Sequence, residues 1–528
     1  MCLLSQVRHA PVILACLSVS SRRRACGSRL RYDGQVPGYY VENFGCRATQ
    51  ADGAALERQF EKGGLTRVSS SAQASIVVLN TCTVTAAADQ DARAAIRRVR
   101  RLNPDAKIVV TGCYAQRAPE EVAALPGVSM VVGNSYKHQL AGIALGGISE
   151  DHPPRTFIPI SDLIPSSRWP TTDNQRPIFV SDIFAHTELL AAPVFDAANE
   201  RTRPNLKVQD GCDNRCSFCV IPYVRGASRS LRLERISQEV NALVASGYRE
   251  VVISGINLGR WGRDLKAGQR PTGSDLEGTA SPDECSKLEV QGPKSGLRLA
   301  DLIRAILNET PLEKLRISSV EPMDWTEELI SLVASSPRIA KHVHVPMQSG
   351  SDAVLRRMHR KYRPWHYREK IAKIRAAMPT AAIGADVMVG FPAETEAEFE
   401  ATRRMVEDLP FTYLHVFTYS PRPDTPAAGM PNQVPVSVAR ERNRVLRELA
   451  ARKKLAFMRS LIGTEIEAIT LRNKGDDLVE GSAASTEALS DNYLKLHLKA
   501  RYEPNRWLRA RIHDVADGAL IGTVRESS

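Results

Sequence analysis

Long hydrophobic runs are missing from this 528-residue sequence. No stretch reaches about 18 apolar residues, close to the least that a transmembrane helix needs, so we expect no membrane contact and a cytoplasmic protein. The apolar segment 10–20 does not fit a secretion signal, because its positive charge (SRRRACGSRLR) follows it rather than preceding it. We expect residues 1–36 to be a disordered leader or the product of a mis-assigned start.

Cysteine is scarce, with 10 residues in the whole chain. That is too few for a disulfide-stabilised scaffold. Six of them stand in patterned positions, and such clusters in a reducing compartment are typical of metal sites or catalysis. These six are Cys46, Cys82, Cys113, Cys212, Cys216 and Cys219. We expect no role for the other four, which are Cys2, Cys16, Cys26 and Cys285.

Acidic residues do not balance the basic ones: 71 Lys and Arg against 59 Asp and Glu give a formal net charge of +12. An excess of this sign favours a polyanionic partner, of which nucleic acid is the commonest. The basic residues concentrate in segments 93–101, 356–375 and 440–459. A solvated helix face is an equally good interpretation of each segment.

The last segment, 462–528, lacks this excess, with nine Lys and Arg against eleven Asp and Glu. A domain that bound RNA through charge alone would carry a positive net charge. Tyr493, Tyr502 and Trp507 could stack on bases instead. Packing of these rings in a core is the interpretation that we favour.

Strand and helix signals alternate over residues 37–145, which predicts a parallel α/β sheet domain with a first helix from about Asp52. Three apolar, strand-like runs end one or two residues before Cys46, Cys82 and Cys113. Sites in parallel sheets lie at the carboxyl ends of the strands, so these three thiols can converge. The alternative for each cysteine alone is a buried core thiol, which explains three such positions poorly.

A second series of strands and helices follows residues 146–204, whose Pro, Ser and Thr content predicts a linker. Residues 205–435 contain six strand-like runs with helices between them, which predicts an open or partial barrel. We expect a disordered insertion at 264–296 and a long basic helix at 436–460. Short alternating strands over 461–528 predict a small β-barrel, so the fold class is α/β with three domains.

The sharpest motif is GCDNRCSFC at 211–219, a C-x3-C-x2-C spacing directly after a predicted strand. Three thiolates this close can bind three irons of a four-iron cluster and leave the fourth iron open for a substrate. A structural zinc site would need a fourth Cys or His nearby, typically in a second C-x-x-C, and none follows. A disulfide would leave an odd thiol, and chance clustering fits the flanking glycine and strand poorly.

The run LKVQDGCDNRCSFCVIPYVRGASRS, at 206–230, resembles the radical S-adenosylmethionine core of the methylthiotransferase family. The resemblance continues in VVISGINLGRWGRDL, RISSVEPMDW, HVHVPMQSGSDAVLRRMHRKY, GADVMVGFPAETEAEF and HVFTYSPRPDTPAA. It includes NFGCRATQADG, VLNTCTVT and VTGCYAQ near the N-terminus. The C-terminal barrel resembles the RNA-binding TRAM domain of the family. Nearly all of residues 38–525 are covered, apart from the linker and the insertion.

This resemblance implies S-adenosyl-L-methionine and two 4Fe–4S clusters as cofactors. Cys212, Cys216 and Cys219 would bind the cluster that cleaves S-adenosylmethionine to a 5′-deoxyadenosyl radical, which removes hydrogen from carbon 2 of an adenine. An auxiliary cluster would carry the sulfur that is methylated and delivered. Its ligands would be Cys46, Cys82 and Cys113.

The resemblance also points to four residues at the ends of later strands as contacts of S-adenosylmethionine. Gly255 and Asn257 end one strand, where relatives contact the methionine part of the cofactor. Glu321 and Gln348 end two further strands and face the same predicted cavity. An ordinary strand-to-loop turn explains Gly255 nearly as well, and a solvated loop explains Glu321 and Gln348 as well.

The runs NTCTVT at 80–85 and RGASRS at 225–230 resemble the branch that acts on N6-threonylcarbamoyladenosine at position 37 of tRNA. The expected partners are the tRNA anticodon stem-loop, an electron donor and a sulfur source, of which the last two stay unidentified. Alternative substrates are isopentenyladenosine in tRNA and an aspartate of a ribosomal protein. A non-catalytic iron–sulfur protein that binds tRNA is a further alternative, against which the six patterned cysteines argue.

Overall fold

The computed structural model describes residues 37–146, 176–186, 189, 202–265, 296–472 and 485–524. The expected leader at 1–36 lies outside these ranges, as do most of the expected linker and nearly all of the expected insertion. Within the described ranges no helix is long and apolar enough to cross a membrane.

Six parallel strands form the N-terminal sheet, in the order β2-β1-β3-β4-β5-β6. They are β1 (Gly38–Asn43), β2 (Thr66–Arg67), β3 (Ile76–Thr81), β4 (Lys107–Gly112), β5 (Val128–Val132) and β6 (Ile178–Phe179). Helices cover both faces, because successive residues of a strand point to opposite sides. They are α1 (Arg47–Lys62), α2 (Ala86–Leu102), α3 (Cys113–Arg117), α4 (Pro119–Ala124) and α5 (Leu140–Leu145).

Helix α1 begins at Arg47, earlier than the start near Asp52 that the sequence predicts. Cys46 occupies the N-cap position in an extended conformation and makes no side-chain capping hydrogen bond. Because Ser, Thr, Asp or Asn normally marks a helix start, this start carries no signal in the sequence. The helix therefore begins directly at a candidate metal ligand.

Strand β6 lies inside the segment 146–204 that we expected to be a linker. It pairs in parallel with β5, with Ile178 opposite Val131. The guanidinium of Arg176 donates hydrogen bonds to the carbonyls of Ala123 and Leu125. Two residues of strand are too short to show a periodicity, which is why the sequence does not reveal this edge of the sheet.

The central domain is built on six parallel strands in two hydrogen-bonded groups, β10-β9-β7 and β11-β12-β13, with the short antiparallel strand β8 beside β7. Isolated parallel bridges, such as Ser319 to His344, join the two groups. The strands are β7 (Asn205–Asp210), β8 (Arg229–Ser230), β9 (Glu250–Gly255), β10 (Lys314–Ile317), β11 (His342–His344), β12 (Ala382–Val389) and β13 (Tyr413–Thr418). The predicted partial barrel is confirmed.

Within its described residues the central domain has seven α-helices. They are α6 (Ile221–Arg225), α7 (Leu233–Ala245), α8 (Leu299–Glu309), α9 (Glu327–Ser335), α10 (Asp352–Arg357), α11 (Pro364–Ala377) and α12 (Glu396–Asp408). Alternate strand residues such as Val251, Leu315 and Val343 pack against these helices in one large core.

The strand residues between these core positions line the opposite, concave face of the partial barrel, which we call the lumen. Its side chains include Lys207, Gln209, Ser254, Arg316, His342, His344, Asp386, Tyr413 and His415.

The predicted basic helix is present as α13 (Val436–Arg459). A closed five-stranded barrel follows, in the order β14-β15-β16-β18-β17. Its strands are β14 (Glu465–Thr470), β15 (Thr486–Ser490), β16 (Lys495–Leu498), β17 (Trp507–Ala516) and β18 (Ala519–Val524). The α/β fold class with a small C-terminal β-barrel is confirmed.

The turn between β15 and β16 packs against the central domain. The Asp491 carbonyl accepts a hydrogen bond from Arg316 NH1 at 2.9 Å, and its carboxylate accepts one from the Lys341 amide at 3.2 Å. The ring of Tyr493 lies 4.4 Å from the ring of His342 in the lumen. Tyr493 therefore packs between domains, in agreement with the packing role that we favoured over stacking on RNA.

Two buried carboxylates and three buried cations join the N-terminal sheet domain to the central domain. Asp52 on α1 accepts hydrogen bonds from Lys137 at 3.0 Å, from Arg225 at 2.9 Å and from Lys207. Asp210 accepts from Lys207 at 2.8 Å and from Arg225 at 2.9 Å. Burial opposes ionisation of Asp52, but the three cations outweigh it and hold its pKa below the ordinary value. We call these five residues the interdomain charge network.

Replacing Asp52 by Asn is expected to lower the free energy of unfolding by about 3–5 kcal/mol, because three buried cations lose a charged partner. The pKa of Asp52 is lower in the folded protein than in the unfolded chain. The difference in free energy of unfolding between wild type and variant is therefore fully present above the unfolded pKa of about 3.9, and it disappears as the pH falls through the folded pKa. Urea denaturation followed by tryptophan fluorescence measures it.

The matched control is Asp408→Asn, which breaks an exposed pair with Arg368. An exposed pair contributes at most about 1 kcal/mol. Equal losses in the two variants would contradict a special role for the interdomain charge network.

Candidate functional site

The C-x3-C-x2-C motif forms a loop between β7 and α6, stabilised by its own backbone. The amide of Cys212 donates to the Gly226 carbonyl at 3.1 Å, and the amide of Cys219 donates to the Cys216 carbonyl at 3.1 Å. Gly211 has φ of 71°, and a Cβ there would lie 1.9 Å from the Ala227 carbonyl oxygen. Only glycine fits this position, so the motif begins at an obligatory turn.

Hydrogen-bond donors surround the sulfurs of this loop. Cys212 Sγ accepts from the Asn214 amide at 3.4 Å and from Asn257 Nδ2 at 3.5 Å, and Cys216 Sγ accepts from Arg360 NH1 at 3.3 Å. Burial raises the pKa of the Cys219 thiol to about 12, with Cys216 as a second cause. Donors aimed at sulfur stabilise thiolates that bind a metal, so the loop can hold an iron–sulfur cluster.

Buried polar atoms without a partner lie at the strand ends beside this loop. Ser254 Oγ, Asn257 Oδ1 and Gln348 Oε1 have no hydrogen-bond partner among the described residues. Gln348 also has φ of 62°, a backbone conformation that non-glycine residues rarely adopt and that clusters at functional sites. Such orphaned atoms fit a site that binds a polar small molecule.

Gly255 has a packing explanation instead. A Cβ at this position would lie 2.8 Å from Oε1 of Gln209, which accepts a hydrogen bond from the Asn257 amide at 2.6 Å. Gly255 therefore leaves room for the side chain that fixes the loop carrying Asn257.

The buried Arg360 and the partly buried Glu321 form an ion pair beside Cys216. Asn214, Cys216, Glu321 and Arg360 line one pocket together with neighbouring residues. Sequence reasoning placed Glu321 here but missed Arg360, which it read only as one member of the basic segment 356–375. The sequence places Arg360 in HRKY, shortly after the MQSG run. This spacing alone does not show that the guanidinium of Arg360 reaches a sulfur.

The three N-terminal cysteines lie together, as the strand-end argument predicted. Burial raises the pKa of the Cys82 thiol to about 12, with the neighbouring Cys113 and Cys46 as further causes. Gly45 has φ of 101°, and a Cβ there would lie 2.8 Å from Cys82 Sγ. Three thiols on three strand ends, with a glycine that keeps the backbone close to them, can hold a second metal group.

The two sets of cysteines lie on either side of α6. Cys113 packs against Val220 and Val224, which follow the C-x3-C-x2-C motif directly. Asn134 Nδ2 lies 3.7 Å from Cys113 Sγ and donates to the Val224 carbonyl at 2.7 Å. One short helix therefore brings the two sets close together in space.

Known proteins resemble the chain over both sets of cysteines. Residues 38–133 match the model of the Uncharacterized protein family UPF0004, and residues 206–406 match that of the Radical SAM superfamily. The threonylcarbamoyladenosine tRNA methylthiotransferase MtaB of Aquifex aeolicus is 33% identical over 89% of this chain and 99% of its own length. The chain belongs to the radical S-adenosylmethionine methylthiotransferase family. A methylthiotransferase of this family uses S-adenosylmethionine and a 4Fe–4S cluster.

Two further comparisons bear on the methylthiotransferase. The MtaB protein of Bacillus subtilis is 36% identical over 75% of this chain and 77% of its own. Among solved structures, the radical S-adenosylmethionine methyltransferase TsrM of Kitasatospora setae covers 75% of both chains with a TM-score of 0.50 and 16% identity. This second likeness concerns the fold alone, and it agrees with the partial barrel described above.

Replacing Asn257 by Ala is expected to weaken S-adenosylmethionine binding about tenfold, because a buried hydrogen-bonding group beside Cys212 is lost. Isothermal titration calorimetry on the cluster-loaded protein measures this affinity. Asn241→Ala is the matched control, since Asn241 lies on the exposed surface of α7. Unchanged affinity in the Asn257 variant would remove this residue from the cofactor site.

Proposed function

We propose that the methylthiotransferase converts N6-threonylcarbamoyladenosine at position 37 of tRNA to its 2-methylthio derivative. The observation that carries this proposal is the agreement among relatives named for this activity, from Aquifex aeolicus, Bacillus subtilis and Rickettsia prowazekii, at 33–36% identity. Each of them is matched over at least 77% of its own length. The tRNA anticodon stem-loop is then the macromolecular substrate, and the cytoplasm is the compartment that we propose.

Cys212, Cys216 and Cys219 are the proposed ligands of the cluster that binds S-adenosylmethionine. Bound there, this cluster supplies the electron that cleaves the cofactor. Arg360 holds Cys216 Sγ and neutralises Glu321, while Asn257 donates to Cys212 Sγ. The unpartnered oxygens of Asn257 and Gln348 are the proposed contacts that orient the cofactor.

Cys46, Cys82 and Cys113 are the proposed ligands of a second 4Fe–4S cluster. Bound there, it carries the sulfur that is delivered to the adenine. Cys46 stands at the N-terminus of α1, where the helix dipole favours a thiolate. Arg225 stays fully charged between the two acids of the interdomain charge network, and its charge also acts on Cys46 and Cys113. These residues stabilise anionic ligands, of which Cys82 and Cys113 are buried and Cys46 is exposed.

We propose that the N6 substituent enters the lumen, whose polar side chains suit a threonylcarbamoyl group better than an isopentenyl group. The relative from Erythrobacter litoralis, a tRNA-2-methylthio-N(6)-dimethylallyladenosine synthase, is 32% identical over 82% of this chain. An aliphatic substituent on N6 would have to desolvate polar groups such as His344, Asp386 and His415 without offering them hydrogen bonds. A threonylcarbamoyl group brings a carboxylate, a hydroxyl and amides that can satisfy them.

Exposed arginines of α13 are the proposed contacts to tRNA phosphates. Arg440, Arg447, Arg452 and Arg459 are exposed. In the same helix Arg442 is buried and bound to Glu394, and Arg444 is paired with Glu441 and Glu448. The four exposed arginines without these acidic partners are therefore available for RNA. An electron donor and a sulfur source complete the proposed set of partners.

The function is tested by mass spectrometry of digested tRNA from cells that lack this gene, with and without its restoration. We expect 2-methylthio-N6-threonylcarbamoyladenosine to disappear in the deletion and to return on complementation. Loss of the isopentenyl analogue instead would assign the alternative tRNA substrate. An unchanged tRNA profile would direct attention to the ribosomal-protein aspartate.

Single cysteine variants test the two ligand sets separately. Cys216→Ala is expected to abolish formation of 5′-deoxyadenosine, because the cluster that cleaves the cofactor loses a ligand. Cys82→Ala is expected to retain that cleavage and to lose the methylthio product. Liquid chromatography with mass spectrometry measures both compounds, and Cys285→Ala serves as the control. Methylthio product from the Cys82 variant would show that the auxiliary assignment is wrong.

A further inference from the structure

Three potential metal ligands lie together in the lumen, apart from both sets of cysteines. His344, Asp386 and His415 stand on the neighbouring strands β11, β12 and β13. Asp386 and His415 are direct neighbours in the register of the sheet, and His344 lies diagonally across from Asp386. One donor atom from each residue lies within 4.8 Å of the other two.

The distances within this group suit metal ligands, although His415 Nδ1 and Asp386 Oδ1 are also close enough for a long hydrogen bond. Asp386 Oδ1 lies 3.4 Å from His344 Nε2 and 3.3 Å from His415 Nδ1. A charge-assisted hydrogen bond between such atoms measures about 2.7–2.9 Å. Donors bound at about 2.1 Å to a tetrahedral zinc ion lie about 3.4 Å from one another. These two separations match two edges of such a coordination shell, and the donor atoms of His344 and His415 lie within 4.8 Å of each other.

The imidazole of His344 has no other use in the described part of the chain. Its side chain is 9% exposed, and neither ring nitrogen has a hydrogen-bond partner there. A buried polar group without a partner is costly, so a ligand that accepts its lone pair would remove the cost.

The charges around the group leave Asp386 available to a cation. Arg316 on β10 is buried and Arg203, just before β7, is partly buried; both are bound to Glu250, at 2.6 Å and 3.5 Å. An imidazole that binds a metal ion is neutral, so as metal ligands the two histidines and the Asp386 carboxylate carry a net charge of −1.

We propose that His344, Asp386 and His415 form a binding site for a divalent transition-metal ion, with zinc or ferrous iron as the best match. Two imidazoles and one carboxylate are a donor set that these ions favour. Three protein ligands leave at least one coordination position open. The His415 side chain is 62% exposed, so this position faces the open lumen, where water or an anionic oxygen of a substrate can occupy it.

The test uses the purified protein with its iron–sulfur clusters reconstituted under anaerobic conditions, so that iron occupies the cysteines. After passage over a chelating resin, the protein is exposed to zinc chloride and desalted, and zinc per chain is measured by mass spectrometry. We expect about one zinc per chain in the wild type. Asp386→Asn and His344→Gln are expected to bind zinc at least tenfold more weakly at unchanged iron content and circular dichroism.

The matched control is His366→Gln, which removes an exposed imidazole on α11 and is expected to retain the wild-type zinc content. X-ray absorption at the zinc edge should show nitrogen and oxygen ligands without a sulfur shell at about 2.3 Å. The proposal is overturned if the wild type binds no zinc, if the Asp386 and His344 variants bind it equally well, or if sulfur is found around the metal. None of these readouts depends on which nucleoside is modified.

Discussion

The interdomain charge network is the interaction on which the rest of the arrangement depends. Asp52 comes from the N-terminal sheet domain, while Lys207, Asp210 and Arg225 come from the central domain on both sides of the C-x3-C-x2-C loop. Buried charges tolerate little displacement, because any gap leaves an unpaired ion in a medium of low polarity. The network therefore fixes the distance between the two sets of cysteines, whose spacing the proposed transfer of sulfur requires.

Local patterns in the sequence account for most of the architecture. Apolar runs located most strands of both sheets, and strand ends located Cys46, Cys82 and Cys113. These features depend on the period of a strand or helix and on the rule that parallel sheets place their sites at one edge. Their prediction does not require knowing which strands become neighbours.

Features that depend on neighbours could not be predicted in this way. Arg225 meets Asp52 across 173 positions, and Arg360 meets Cys216 across 144. The His344, Asp386 and His415 group exists only because β11, β12 and β13 pair in one register. The two-residue strand β6 and the uncapped start of α1 could not be predicted for a different reason, because neither produces a local signal in the sequence.

The Tyr493 turn gives the C-terminal barrel a structural role in the central domain. Its ring lies against His342, Arg316 and Tyr413 in the lumen, and its hydroxyl accepts a hydrogen bond from Arg47, the residue that follows Cys46. The C-terminal barrel therefore lines part of the lumen. A truncated chain that ends after α13 would lose this part of the lumen wall. A drop in its activity could therefore not be assigned to weaker RNA binding.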